Sequence, residues 1–265
     1  MDDRELRFHK IDPNKTAVCF TFDDNFARHS GFIAPAFLSR GYRCTFYINA
    51  GADDFTPHIN SYKALLAQGF ELGSHGFVHD NLTELAPADV INNLRASAQR
   101  IHELFHVYPA TFAFPYHGYT DQTLAMARAL HLETRNTLAH SLWFAIKTAI
   151  PLGDMLTAVE QCIEKNRPLV FSGHSVLLTP KEADNEQLKK ETGYNPILLD
   201  DLCKLLDFIK LRYHEVQVLT FEQASVLAYI KQSGEIDGDT FILSQTHMDR
   251  LKAFGIGTER LTELV

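Results

Sequence analysis

Short runs of apolar, β-branched and aromatic residues alternate with longer stretches of helical periodicity along almost the whole chain. No other feature limits the fold as much. Strands are expected over residues 16–21, 44–48, 71–74, 111–113, 133–136, 169–172 and 216–219. Helices are expected over 30–40, 59–68, 87–105, 121–129, 153–164, 197–212 and 221–229. Seven strand-then-helix units argue for an α/β fold, a parallel sheet covered by helices. Right-handed crossovers curl such a sheet towards a barrel. No Gly/Pro/Ser-rich linker divides residues 1–230, so they read as one barrel domain. Residues 231–265 read as an extension: a polar turn, then a helical hairpin around Gly255 and Gly257, packed on the barrel or on a second subunit in a homo-oligomer.

Composition excludes several function classes. Lys+Arg 25 against Asp+Glu 33 gives a net charge of −8, the wrong sign for a nucleic-acid binder. There is no run of about 18 apolar residues and no basic-then-apolar start. A soluble, cytoplasmic protein with no membrane partner is therefore expected, or a secreted one whose leader has been trimmed. The four cysteines, Cys19, Cys44, Cys162 and Cys203, form no CxxC pair and read as free thiols.

In parallel barrels, functional residues gather at the C-terminal strand ends. Here the strand ends are followed by Asp23-Asp24, Asn49, His75 with His79, Pro115-Tyr116-His117, Arg135-Asn136 and His174. His75 and His79 are four apart, and one helical turn would put both on one side. With a carboxylate they make a two-histidine, one-carboxylate set suited to zinc or another divalent ion. Gly76 stands where an HExxH motif carries its glutamate, so the base must come from another strand. The adjacent aspartates can supply both needs, one on the metal and one as base. Taken singly, each feature has a plain reading: a chance pair among 13 histidines, a helix cap, a structural histidine, a turn. Their coincidence at successive strand ends outweighs these readings.

The motifs resemble those of the polysaccharide deacetylase family, the NodB-homology or carbohydrate esterase 4 group. Thr21-Phe22-Asp23-Asp24 with Thr45-Phe46-Tyr47 resembles its opening, and Ser74-His75-Gly76-Phe77-Val78-His79 its metal motif. Phe114-Pro115-Tyr116 resembles its third motif, and Leu169-Val170-Phe171-Ser172-Gly173-His174 its last. The resemblance spans Thr16 to Tyr229 and implies a distorted (β/α)7 barrel. It implies Asp24, His75 and His79 as ligands of a divalent metal, usually Zn2+, with Co2+, Ni2+ or Mn2+ as substitutes. Asp23 would be the general base and His174 the general acid, while the Tyr116 N–H would hold the oxyanion. Leu169 and Trp143 would wall the pocket for the acetyl methyl, and Pro115 and His117 would line the substrate site.

The third motif departs from the family pattern. The expected arginine is absent, and His117 stands where glycine is usual. Arg135, closing the fifth strand, is expected to pair with Asp23 instead. The polar segment 175–196 leaves the same rim as His174, and Tyr194 within it is a candidate substrate contact. The implied activity is a metal-dependent hydrolase, acting on linear amides, that removes N-acetyl groups from an amino sugar or oligosaccharide. Two alternatives are a related C–N hydrolase acting on a small metabolite and a non-catalytic carbohydrate-binding relative.

Overall fold

A computed structural model describes residues 4–7, 11–138, 140–185, 196–233, 235–237, 240–243, 249 and 252–253. In chain order the elements are β1 (Arg4–Arg7), β2 (Thr16–Asp23), α1 (Ala34–Leu38), β3 (Thr45–Ile48), α2 (Ile59–Ala67), β4 (Glu71–Ser74) and α3 (Pro87–Phe105). There follow β5 (Thr111–Phe112), α4 (Asp121–Leu130), β6 (Glu133–Thr134), β7 (Leu142–Ala145), α5 (Leu152–Lys165), β8 (Leu169–Gly173), β9 (Val176–Leu177) and β10 (Ile197–Leu198). The last are α6 (Leu199–Leu211), β11 (Val216–Leu219), α7 (Phe221–Ser233), β12 (Glu235–Asp237) and β13 (Thr240–Leu243).

The main sheet is parallel, in the order β6-β5-β4-β3-β2-β8-β7. Strand β2 is its axis. One edge of β2 pairs with β8 over Val18–Phe22; the other pairs with β11 over its first half and with β3 over its second. The curl stays open, because β6 and β7 end the strand order and do not pair with each other. The fold is thus a curled half-barrel of parallel strands with helices, the distorted (β/α) barrel expected.

Strand alternation separates two cores. Val18, Phe20, Phe22, Phe46, Leu169 and Phe171 face the helices, with Phe20 and Phe171 stacked at 4.9 Å. Ala17, Cys19, Tyr47, Ala113, Val170 and Leu219 face the inside of the curl. Each fully buried ring or branched side chain contributes about 1.5–3 kcal/mol. Gly73 makes the inner packing feasible, since a Cβ there would stand 2.3 Å from the Tyr47 ring. Helix ends follow local chemistry: Pro87 opens α3, and Thr120 and Thr123 form a reciprocal capping box at α4.

All seven expected strands are present, and β7 is an eighth in the same sheet. Its Leu-Trp-Phe-Ala sequence has no β-branched residue, and among the described residues it pairs with β8 alone. The helix expected over 197–212 begins two residues later, because Ile197 and Leu198 pair with Val176 and Leu177. The extension also differs from expectation. Helix α7 runs on to Ser233, and β12 and β13 form an antiparallel sheet with β1 where a polar turn was expected. Gly255, Gly257 and Tyr194 lie outside the described residues. The cysteines are free, with Cys19, Cys44 and Cys162 buried. No helix among the described residues is long and apolar enough to cross a membrane.

Candidate active site

The inward-facing positions of β2, β3, β4 and β8 converge at the mouth of the curl. Asp23 ends β2, and Asp24 turns the chain at a φ of +70°. Two adjacent carboxylates thereby serve different partners. Oδ1 of Asp24 lies 3.8 Å from Nε2 of His75 and 3.7 Å from Nε2 of His79. These contacts are too long for hydrogen bonds. One ligand atom from each residue lies within 4.8 Å of the others, so three donors face a common space.

His75 is held in the tautomer a metal needs. Its Nδ1–H donates to the Ala113 carbonyl at 2.8 Å, which leaves the Nε2 lone pair free. Asn49 fixes the backbone beneath it by donating to the His75 carbonyl at 2.5 Å. His75 and His79 do not share a helical turn, contrary to the spacing argument: residues 75–80 are bends and irregular chain. Gly76, at a φ of +85°, folds the loop back and brings the two rings to 5.0 Å. Asn93 and Ser97 on α3 brace that loop, accepting from the Phe77 N–H at 2.9 Å and donating to the Gly76 carbonyl at 3.1 Å. Neither has a sequence signature, since both act on backbone atoms.

Burial sets the charge states. It lowers the His75 pKa to about 3 and lowers that of His79, so both imidazoles are neutral, as ligands must be. Asp24 is pushed up to about 6, first by burial and then by the charge of Asp23. A neutral imidazole pair beside a carboxylate that no lysine or arginine contacts among the described residues is a donor set that fits a small divalent cation, which would itself reverse the Asp24 shift.

Asp23 is satisfied differently. Both of its oxygens accept from Arg135, Nη2 to Oδ2 at 2.7 Å and Nη1 to Oδ1. Arg135 is 1% exposed, its Nη1 also reaches the Thr21 hydroxyl at 3.2 Å, and its guanidinium lies over the Tyr47 ring. Burial alone would raise the Asp23 pKa. The charge of Arg135, with lesser help from His75, the Arg135 hydrogen bonds and His174, holds it well below the usual carboxylate range. The expected Arg135–Asp23 contact is therefore present.

The third motif flanks the open side. Tyr116 and His117 both have a φ of +57°. The Tyr116 ring is 66% exposed and rests 4.5 Å from His79. Nδ1 of His117 accepts from Arg135 at 3.4 Å, and its ring meets Trp143 at 5.4 Å. Trp143 lies beside Val170 in register and is 49% exposed, which offers an aromatic face next to His117. Pro115 is buried beside Gly76 and shapes the loop rather than presenting surface.

Leu169 must be withdrawn from the pocket. It pairs with Val18 at the start of β8, five residues before His174, and is fully buried in the helix-side core. Five residues span about 16 Å, and their parity points Leu169 outward.

His174 follows the last β8 pair, and its charge is felt by both Asp23 and Asp24. Its carbonyl accepts from the buried His29, a residue that motif reading passed over because it belongs to no motif.

A profile of the polysaccharide deacetylase family matches residues 10–134. Among curated proteins, the peptidoglycan-N-acetylmuramic acid deacetylase PdaC of Bacillus subtilis is 22% identical over 199 residues. That match covers 72% of this chain and only 40% of the relative's length. The Xyl-CE4 domain of a multidomain xylanase from the hindgut metagenome of Trinervitermes trinervoides superposes with a TM-score of 0.57 at 14% identity, covering 85% of this chain and 94% of that one. A CE4 family pseudoenzyme from Bacillus anthracis gives 0.53 at 14% identity, covering 81% and 66%. Likeness to a domain and to a pseudoenzyme alike carries the fold and no activity.

Proposed function

This chain belongs to the polysaccharide deacetylase family, and from that premise we propose that it is a metal-dependent hydrolase removing N-acetyl groups from an amino sugar or oligosaccharide. The observation that carries the reading is the division of labour between adjacent aspartates. Asp24 faces two neutral histidines at 3.7 and 3.8 Å, while both oxygens of Asp23 accept from Arg135.

Asp24, His75 and His79 would hold the ion. A divalent ion such as zinc acts as a Lewis acid and lowers the pKa of water to about 7. Asp23 takes the proton of the attacking water, and Arg135 keeps that carboxylate ionised and aimed. The Tyr116 N–H would donate to the oxygen on which negative charge develops; one such donor is worth about 3 kcal/mol. His174 returns a proton to the departing nitrogen, the general-acid part of the reaction. His117 and Trp143 would contact the sugar, with Trp143 offering a flat apolar face.

Metal analysis with an acetate-release assay on N-acetylglucosamine oligomers tests this. Stoichiometric metal and acetate release are expected. Metal without acetate release from any acetylated sugar would reject the sugar substrate, and a protein that binds no divalent metal would reject the whole reading.

A further inference from the structure

His174 and Asp24 both lie where the sheet has stopped holding the chain. The β2–β8 ladder ends at Phe22 opposite Gly173, one residue before His174. Asp24 is one residue past the end of β2. What holds them is a buried pair of side chains from outside every motif.

His29 opens a single π-type turn, His29–Ile33, and is fully buried against Phe22, Phe26, Phe46 and Tyr62. A carbonyl only accepts, so the 2.6 Å contact to the His174 carbonyl makes His29 Nε2–H the donor. Nδ1 of the neutral ring is then an acceptor, 2.9 Å from the Tyr62 hydroxyl. The single Tyr62 proton is shared in a three-centre bond: it goes mainly to His29 Nδ1 and more weakly to the Asp24 carbonyl at 3.3 Å. The preceding residue works on the same segment: Arg28 donates to the Val176 carbonyl at 3.0 Å and to Glu182 at 2.8 Å. Successive side chains thus grip the carbonyls on either side of Ser175.

We propose that His29 and Tyr62 are positioning residues that tie the backbone of His174 to the backbone of Asp24 and so set the proton donor against the metal carboxylate. The catalytic meaning rests on the function proposed above, whereas the tie itself rests on hydrogen bonds alone. π-Type turns within helices recur at functional sites, and here the turn aims one ring at a strand end 145 residues away.

Nitrogen-edited NMR of the metal-free protein tests the tie without substrate. His29 is expected as the Nε2–H tautomer with a slowly exchanging proton. An Nδ1–H tautomer, or exchange at the rate of free imidazole, overturns the proposal. Kinetics test its consequence. His29→Phe preserves ring packing and is expected to lower kcat about 10–100-fold with KM changed less than about threefold. His29→Gln, which retains a donor, recovers part of that loss. A merely structural role would instead make both variants follow their thermal midpoints, and an unchanged kcat in His29→Phe overturns the proposal. Tyr62→Phe is expected to weaken zinc binding about 10-fold, and undiminished zinc affinity removes the Asp24 half of the tie. If the wild-type protein releases no acetate, the deacetylase reading fails, while the tautomer and zinc measurements still decide the tie.

Discussion

The molecule contains the same chemical device twice. Arg135 grips both oxygens of Asp23 inside the curl, and Arg40 grips both oxygens of Asp207 on the surface, at 2.7 Å each. The first pair is 0% and 3% exposed at its side chains, the second 14% and 60%. A two-pronged guanidinium fork is therefore no sign of function by itself. The difference lies in what remains if one partner is removed. Water replaces Arg40 easily. Nothing replaces Arg135, and a buried carboxylate left alone loses several kcal/mol of solvation. Around the inner fork the neighbours are Thr21, Tyr47, His117 and the Asp24–His75–His79 cluster, so its charge is used by the site and not dissipated into solvent.

The strongest way to break the comparison is to remove the group next to the inner fork. Asp24→Ala should abolish stoichiometric zinc, measured by metal analysis after dialysis, and reduce acetate release to background. The fold should survive, because Asp24 is a partly buried turn residue outside the hydrophobic core and the Arg135–Asp23 pair stays intact. Zinc retained in this variant would mean that the ligand set is wrong. Asp23→Asn should do the opposite. It should keep zinc yet lose about two to four orders of magnitude in kcat, the usual scale of acid–base help. Together the two variants separate a ligand from a base at adjacent positions.

Arg135→Ala comes next in size. Stranding Asp23 should cost about 3–5 kcal/mol of stability, read by denaturant titration. It should also move the acid limb of the pH–rate profile upward. The sign follows from the environment: Arg135 holds the Asp23 pKa down, so its loss lets burial raise it. The same shift governs folding. A carboxylate whose folded pKa is depressed contributes stability that is complete above its unfolded value, 3.8, and is lost as pH falls towards the folded value. Wild-type protein should therefore keep this contribution throughout the neutral range. An acid limb that stays put in Arg135→Ala would show that Asp23 is not the titrating base.

Much of this site was readable from residue order. Strands β2, β3 and β4 announce themselves because Val18, Phe20, Phe22, Phe46, Ile48 and Leu72 must all be buried under helices. The polar residues that end these strands then share one rim by topology. Arg135 could be placed with Asp23 because both fall at the C-terminal ends of parallel strands, Asp23 as the last residue of β2 and Arg135 as the first residue after β6. Other features depended on information the order of residues does not carry. The His75–His79 approach is made by Gly76 at positive φ, not by helical spacing. Leu169 sits in the right motif and faces the wrong way, since parity within a short strand is settled by register with Val18. The β1–β13 pairing joins residues more than 230 positions apart, and no local pattern signals it. His29 and Tyr62 act on carbonyl oxygens, which every residue possesses, so no motif marks them.

Arg40→Ala completes the comparison from the outer side. Arg40 lowers the Asp207 pKa mainly through its hydrogen bonds, whereas Arg135 lowers that of Asp23 mainly through its charge. Yet Asp207 is mostly in water, so the shift is screened and cannot be converted into stability at face value. Removing Arg40 should change unfolding free energy by about 0.2–1 kcal/mol, and that loss should shrink in about 1 M salt, where the Debye length is near 3 Å. Acetate release and zinc content should match the wild type, since α1 and α6 meet there on the far side of the sheet from the inward-facing aspartates. A loss in Arg40→Ala as large as that in Arg135→Ala, or one insensitive to salt, would show that burial is not what distinguishes the two forks.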